Sequence, residues 1–210
     1  MGWTLETYPA DNQILALLSV AEMKENLRIS YVKEDELIKR CILAAYDWLA
    51  GSNGWLNRSI LGTTWKWTGP AFSNDLELPW AAPAISLTSF TYLLGGVATA
   101  VPVGTYQLIK SGANGFARIK KRAGETWPTD GDIDDEAIAI TYVAGLADGT
   151  GAAVRTKHMA LHKGMALLAG DYFRNREDTF TDIRMVEIDR KIVNGVNRVA
   201  GRYRFMNNHG

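Results

Sequence analysis

The chain has 210 residues, 47% of them apolar, with 23 basic and 23 acidic side chains. That is enough to bury a sizeable core in one elaborated domain or two small ones, and it argues against disorder. A single cysteine excludes a disulfide framework, and no uninterrupted apolar run approaches the roughly 18 residues of a membrane span, so none is expected.

The opening "MGWTLETYPADNQILALLSV" lacks the basic n-region of a signal peptide, and Glu6 stands where a myristoylation motif needs Ser or Thr. The first predicted helix lies in "SVAEMKENLRI". Ser19 is its N-cap, Glu22 completes a capping box, and Val20, Met23 and Leu27 recur at helical spacing. A stronger helix follows in "VKEDELIKRCILAAYDWLAGSNG", with a stripe of Leu37, Cys41, Ala44 or Ala45, and Trp48. It has acids in its first turn and a stop at Gly51. Cys41 on that stripe reads as a buried structural thiol.

From about Leu61 the apolar period drops from near 3.6 to 2. "TTWKWTG", "LELPW", "ISLTSFTYLLGG", "GTYQLIKSG", "ARIKKRAG" and "AIAITYVAG" read as strands, with Gly95-Gly96 a hairpin signal. Helical spacing returns with Val154, Leu161, Met165, Leu168 and Tyr172. A last helix is predicted over Met185, Ile188, Ile192, Val196 and Val199, weakened by Gly195. The expected fold class is α+β: about four helices with an antiparallel β-unit inserted between the second and third main ones. Residues 1–60 form its N-terminal helical part, 61–144 the β-unit, 145–200 the completing helices and 201–210 an extended tail. The order is no βαβ series, which disfavours dinucleotide folds.

Charge is unevenly spread: the last sixty residues carry +5 and the rest −5. The ends are therefore expected to meet different partners, or each other in neighbouring copies. Seven Trp and eight Tyr suggest aromatic side chains placed in subunit contacts.

Five carboxylates, Asp130, Asp132, Asp134, Asp135 and Glu136, crowd into seven residues. Asp130, Asp132 and Asp134 match the first ligands of an EF-hand loop. Asp135 stands where that loop needs Gly, however, and Thr141 where it needs Glu, so a solvated turn dispensable for folding is expected. His158 and His162, four residues apart, have the spacing of two zinc ligands, but Met159 replaces the Glu of a zincin, and His209 makes a poor third ligand. No G-x-S-x-G or Walker loop is present. "RIKKR", Arg118 to Arg122, reads as a charged β-edge. At the C-terminus, Arg198, Arg202 and Arg204 combine with Tyr203 and Phe205 into cationic and aromatic anchors of the kind that dominate interfaces.

Taken together, "SVAEMKENLRI", "EDELIKRCILAAYDWLAGSNG", "LELPWAAPAISLTSFTY", "TYQL", "WP…AIAITYVAG" and "KHMALHKGMALLAGDYFRNRE" resemble the head-tail connector (adaptor) proteins of long-tailed bacteriophages and gene transfer agents. The resemblance spans roughly residues 19 to 205. It implies a structural protein of the virion neck, assembled in the host cytoplasm, with no catalytic residues, metal or cofactor. It further implies a homo-oligomeric ring, usually of twelve copies, between the portal protein and the next neck or tail protein (a stopper or tail terminator). Double-stranded DNA would pass through without sequence readout. On that reading Arg198, Arg202, Tyr203, Arg204 and Phe205 dock on the portal. Asp130, Asp132, Asp134, Asp135 and Glu136 give the DNA channel an acidic lining. The alternatives are a zinc-dependent hydrolase using His158 and His162, and a carbohydrate-binding module stacking sugars on Trp65, Trp67 and Trp80.

Overall fold

A computed structural model describes residues 2–51, 54–78, 84–110, 117–175 and 194–204. The chain divides into two compact units: a β-rich one of Met1–Pro9 and Ser59–Gly149, and a helical one of Ala10–Arg58 and Thr150–Gly210. The class is α+β, as the change of period implies.

In the β-rich unit, β1 (Gly2–Thr7), β2 (Thr63–Gly69), β4 (Ala84–Leu94), β5 (Val97–Ala100) and β8 (Ile138–Ala144) form an antiparallel sheet in the order β1-β2-β8-β4-β5. A smaller sheet has the order β3-β7-β6, from β3 (Asp75–Leu78), β7 (Ala117–Lys121) and β6 (Tyr106–Ile109). Period-2 burial turns Trp65, Trp67, Ile140, Tyr142, Phe90 and Tyr92 of the large sheet, and Leu78, Ala117 and Ile119 of the small one, into a single core. β1 departs from the expectation of a helical part over 1–60. Its place follows from Trp3, which lies opposite Trp67 and packs on both the Trp67 and Tyr142 rings, with centroids 6.1 and 6.2 Å away. Gly95 and Gly96 form the two-residue β4–β5 turn with φ of 59° and 76°, the left-handed pair such a hairpin requires. The "RIKKR" strand is no edge: β7 is the middle of its sheet. Its charges alternate outward because one face meets water, with Arg118 beside Asp75 and Glu77.

The helical unit comprises α1 (Asp11–Leu17), α2 (Val20–Leu27), α3 (Asp35–Leu49), α4 (Gly151–Lys157), α5 (Met159–Arg174) and a helical stretch over 194–200 that runs into a 3-10 turn, Gly201–Tyr203. The predicted capping box opens α2: Glu22 N donates to Ser19 Oγ at 3.2 Å, and Ser19 N to the Glu22 carboxylate at 3.1 Å. α3 buries Ile38, Cys41, Ile42, Ala45, Tyr46 and Leu49. This denser stripe is rotated from the predicted one, leaving Leu37 and Trp48 half-buried and Ala44 exposed. On α5 the apolar face closes on Phe173 instead of Tyr172. Met185, Ile188 and Ile192 lie outside the described residues.

Candidate interaction surfaces

The acidic turn is tied to the β4–β5 hairpin. The Asp132 carboxylate accepts from the N–H groups of Gly95 and Gly96 at 3.0 and 2.7 Å, and Asp132 N donates to Leu93 O at 2.9 Å. Asp134 Oδ1 accepts from Glu136 N at 2.9 Å, and burial together with the nearby Asp130 charge raises the pKa of the Tyr92 phenol. Asp135 and Glu136 are exposed. The turn is thus more than a solvated connector: one of its carboxylates caps two backbone donors. Asp132→Ala is expected to lower stability by about 1 kcal/mol, with Asp132→Asn milder because its amide oxygen still accepts. Urea unfolding of the three proteins checks this.

The two histidines do not share an uninterrupted helix, because His158 is the junction between α4 and α5, with φ −127° and ψ 52°. Its ring meets Tyr203 edge-on at 5.3 Å. Burial lowers its pKa, helped by the charges of Arg202, Arg58 and Lys157. His162 instead faces α2, with Nε2 3.9 Å from Glu22 Oε1, and its pKa is also lowered, chiefly by burial. Burial alone would raise the Glu22 carboxyl. Bonds from the Ser19 backbone and hydroxyl, with the charges of Arg155 and His162, outweigh it and hold the carboxyl below its usual range. Arg155 pairs directly with Glu22, so this carboxylate links α2 to α4. These are packing roles, and among the described residues no group of three His, Cys, Asp or Glu side chains is placed to hold an ion. His209 lies outside the described residues.

Trp65 and Trp67 are buried, Trp65 donating to Ser59 Oγ at 2.9 Å, so neither offers a face to a sugar. Trp80 lies outside the described residues.

Of the expected extended tail, 201–210, the described residues 201–204 are docked. Tyr203 is buried, and Arg202 lies over its ring at 4.8 Å while donating to its hydroxyl at 2.7 Å. Arg204 lies 5.1 Å over Trp55, whose ring stacks on Trp48. The sequence offers no apolar stripe here, but one aromatic ring suffices to seat the turn. Arg198, Arg202 and Arg204 are nonetheless exposed, three cations within one short stretch of chain. Phe205 lies outside the described residues. Sequence reasoning missed Arg58, fully buried in the helical unit, where loss of hydration lowers its guanidinium pKa to about 10. A lone Arg in a polar loop carries no sequence signal of burial.

No family model matches the sequence. No curated protein matches it either. Among solved structures, a chain in the neck of an empty gene transfer agent particle, computed with C6 symmetry, matches with a TM-score of 0.72 at 20% identity, covering 100% of this chain and 98% of that one. This chain has the fold of a gene transfer agent neck chain. The neck of the native particle, computed with C12 symmetry, gives 0.69 at 20% identity, and the virion of the native particle 0.70 at 20%, with the same coverage. The neck fold therefore extends over the whole chain, in agreement with the segments that carried the sequence resemblance.

Proposed function

We propose that this chain is a structural, non-enzymatic head-tail connector: a ring in a virion neck that joins the portal of a DNA-filled head to the next neck or tail protein. The observation that carries this reading is the full-length fold match to chains of necks computed with C6 and C12 symmetry. The residue chemistry supports it. Among the described residues, His158, His162, Trp65 and Trp67, which the hydrolase and sugar-binding readings invoke, are committed to packing, and the exposed cations Arg198, Arg202 and Arg204 sit beside the buried Tyr203. Such cations suit an acidic face on a portal. One copy would hold it modestly, and a closed ring of copies firmly, because closure makes each further contact intramolecular. DNA would be met through shape and charge alone.

The test is attachment to portal-bearing heads. Replacing Arg198, Arg202 and Arg204 together with Ala, with Tyr203 kept, is expected to leave circular dichroism unchanged and to reduce occupancy on heads at least ~10-fold. Parental occupancy by this variant would remove the basic segment as anchor, and failure of the parent protein itself to bind any portal-bearing head would remove the connector reading.

A further inference from the structure

Ile133 is wholly exposed, at the centre of the acidic turn between Asp132 and Asp134. Isolated exposed apolar residues are ordinary on protein surfaces. This one differs in that its backbone is pinned on both sides. Asp132 is held by Leu93, Gly95 and Gly96, and beyond Ile133 the Ala137 N–H donates to Asp134 O at 3.2 Å while Leu93 N donates to Ala137 O at 2.8 Å. The molecule thus presents one branched aliphatic side chain on an ordered support, ringed by carboxylates. Order before docking removes a cost that a flexible loop would have to meet.

The helical unit carries a depression of matching chemistry. Between α2 and α5 lies a groove of about 130 Å³ with Met23, Leu27, Ala166 and Gly170 along its apolar surface and Leu167 partly exposed beside it. Gly170 keeps it open, since a Cβ there would come within 3.2 Å of Met23 Cε. Lys163 and Arg174 border the groove from either end of the same α5 face. Eleven residues of helix separate them, about 16 Å along the axis. Neither makes an ion pair among the described residues. An apolar slot bordered by two cations is the complement of an apolar knob followed directly by two exposed carboxylates, Asp134 and Asp135, and its volume suits one aliphatic side chain.

We propose that the occupant of the α2–α5 groove is Ile133 of a neighbouring copy, with Asp134 and Asp135 meeting Lys163 and Arg174. Knob and slot are different surfaces, so the contact is head-to-tail, the kind that closes into a ring when the rotation permits. The inference rests on the ring reading above and deepens it by naming a subunit contact. It also gives the acidic turn a different use from lining a DNA channel, where a fully exposed isoleucine has no role.

The experiment uses full-length chains in two single-cysteine forms, Ile133→Cys and Leu167→Cys, mixed in equal amounts and oxidised gently. Both sites are exposed, and native Cys41 is buried. The mixture is expected to give at least ten times more disulfide-linked dimer than either form alone. In a second arm, Lys163→Glu with Arg174→Glu should weaken self-association about 10- to 100-fold, and adding Asp134→Lys with Asp135→Lys should restore it. No excess dimer, or no restoration, overturns the proposal. Electron micrographs of the same samples separate it from the reading beneath it. Closed rings without the disulfide contradict this contact and keep the ring; open strings that contain the disulfide-linked dimer keep the contact and contradict the ring. Absence of both contradicts both.

Discussion

Trp67→Ala is expected to cost about 3 to 5 kcal/mol, the range for removing a large aromatic from a packed core. Trp67 is 2% exposed on β2, between Trp3 on β1 and Ile140 on β8 in register. Its indole also lies over Gly69 on the same face of the strand, where a Cβ would run into the ring. Truncation therefore empties space against three strands at once, and neighbouring backbone cannot collapse far because both strand pairings hold it in place. The loss should appear as a lower urea midpoint for the β-rich unit and a weakened near-ultraviolet circular dichroism signal. Gly69→Ala should act in the same direction by displacing the ring. A Trp67→Ala chain with the parental midpoint would mean that the indole is not a core element.

Gly151→Ala is expected to be nearly as damaging, for the opposite reason. Gly151 begins α4 where α1 passes closest: a Cβ there would stand 2.6 Å from Gln13 O and Leu17 N and 2.8 Å from Ala16 C. These are backbone atoms, which do not rotate away as a side chain end does. Overpacking of this kind costs about 1 to 3 kcal/mol and occasionally more, and the α1–α4 contact should loosen visibly in amide exchange. Gly195→Ala is the matched control, since nothing lies within 4 Å of its position in the helical stretch over 194–200. That change should be neutral or stabilise by up to about 1 kcal/mol through helix propensity. Equal effects at the two glycines would contradict the close approach of α1 and α4.

Where local chemistry decides the structure, the sequence is transparent. Ser19 and Glu22 specify the start of α2 by three residues of spacing, and Gly95-Gly96 specifies a hairpin because both turn positions need positive φ. The failures have physical causes. "GWTLET" and "DNQILAL" are too short for a period to stand out, although Ile14 and Leu17 are buried and Trp3 packs on the core aromatics. Continuous apolar spacing from Val154 to Leu168 hides the break at His158, which neither Gly nor Pro marks. Charge alternation in "RIKKR" is the same for an edge strand and for a middle strand with one wet face, so the pattern cannot rank them.

The surfaces were partly legible. The acidic turn and the basic C-terminal segment stood out as charge against a neutral total, yet their geometry did not. That Asp132 caps a hairpin formed nearly forty residues earlier, or that Tyr203 finds a seat beside His158, depends on tertiary neighbours that no local pattern names. Ile133 shows the same limit. In sequence it is one apolar residue in an acidic run, and only its pinned, fully exposed setting distinguishes it.

The central claim, that this chain works as a closed ring in a virion neck, is tested most directly by electron microscopy of the purified protein, alone at high concentration and bound to portal-bearing heads. The predicted result is end-on views of a closed ring with cyclic symmetry, C12 as in the neck of the native particle whose fold it shares, seated coaxially on the portal. Single copies or open strings on occupied heads, with no closed ring at any concentration, would contradict it.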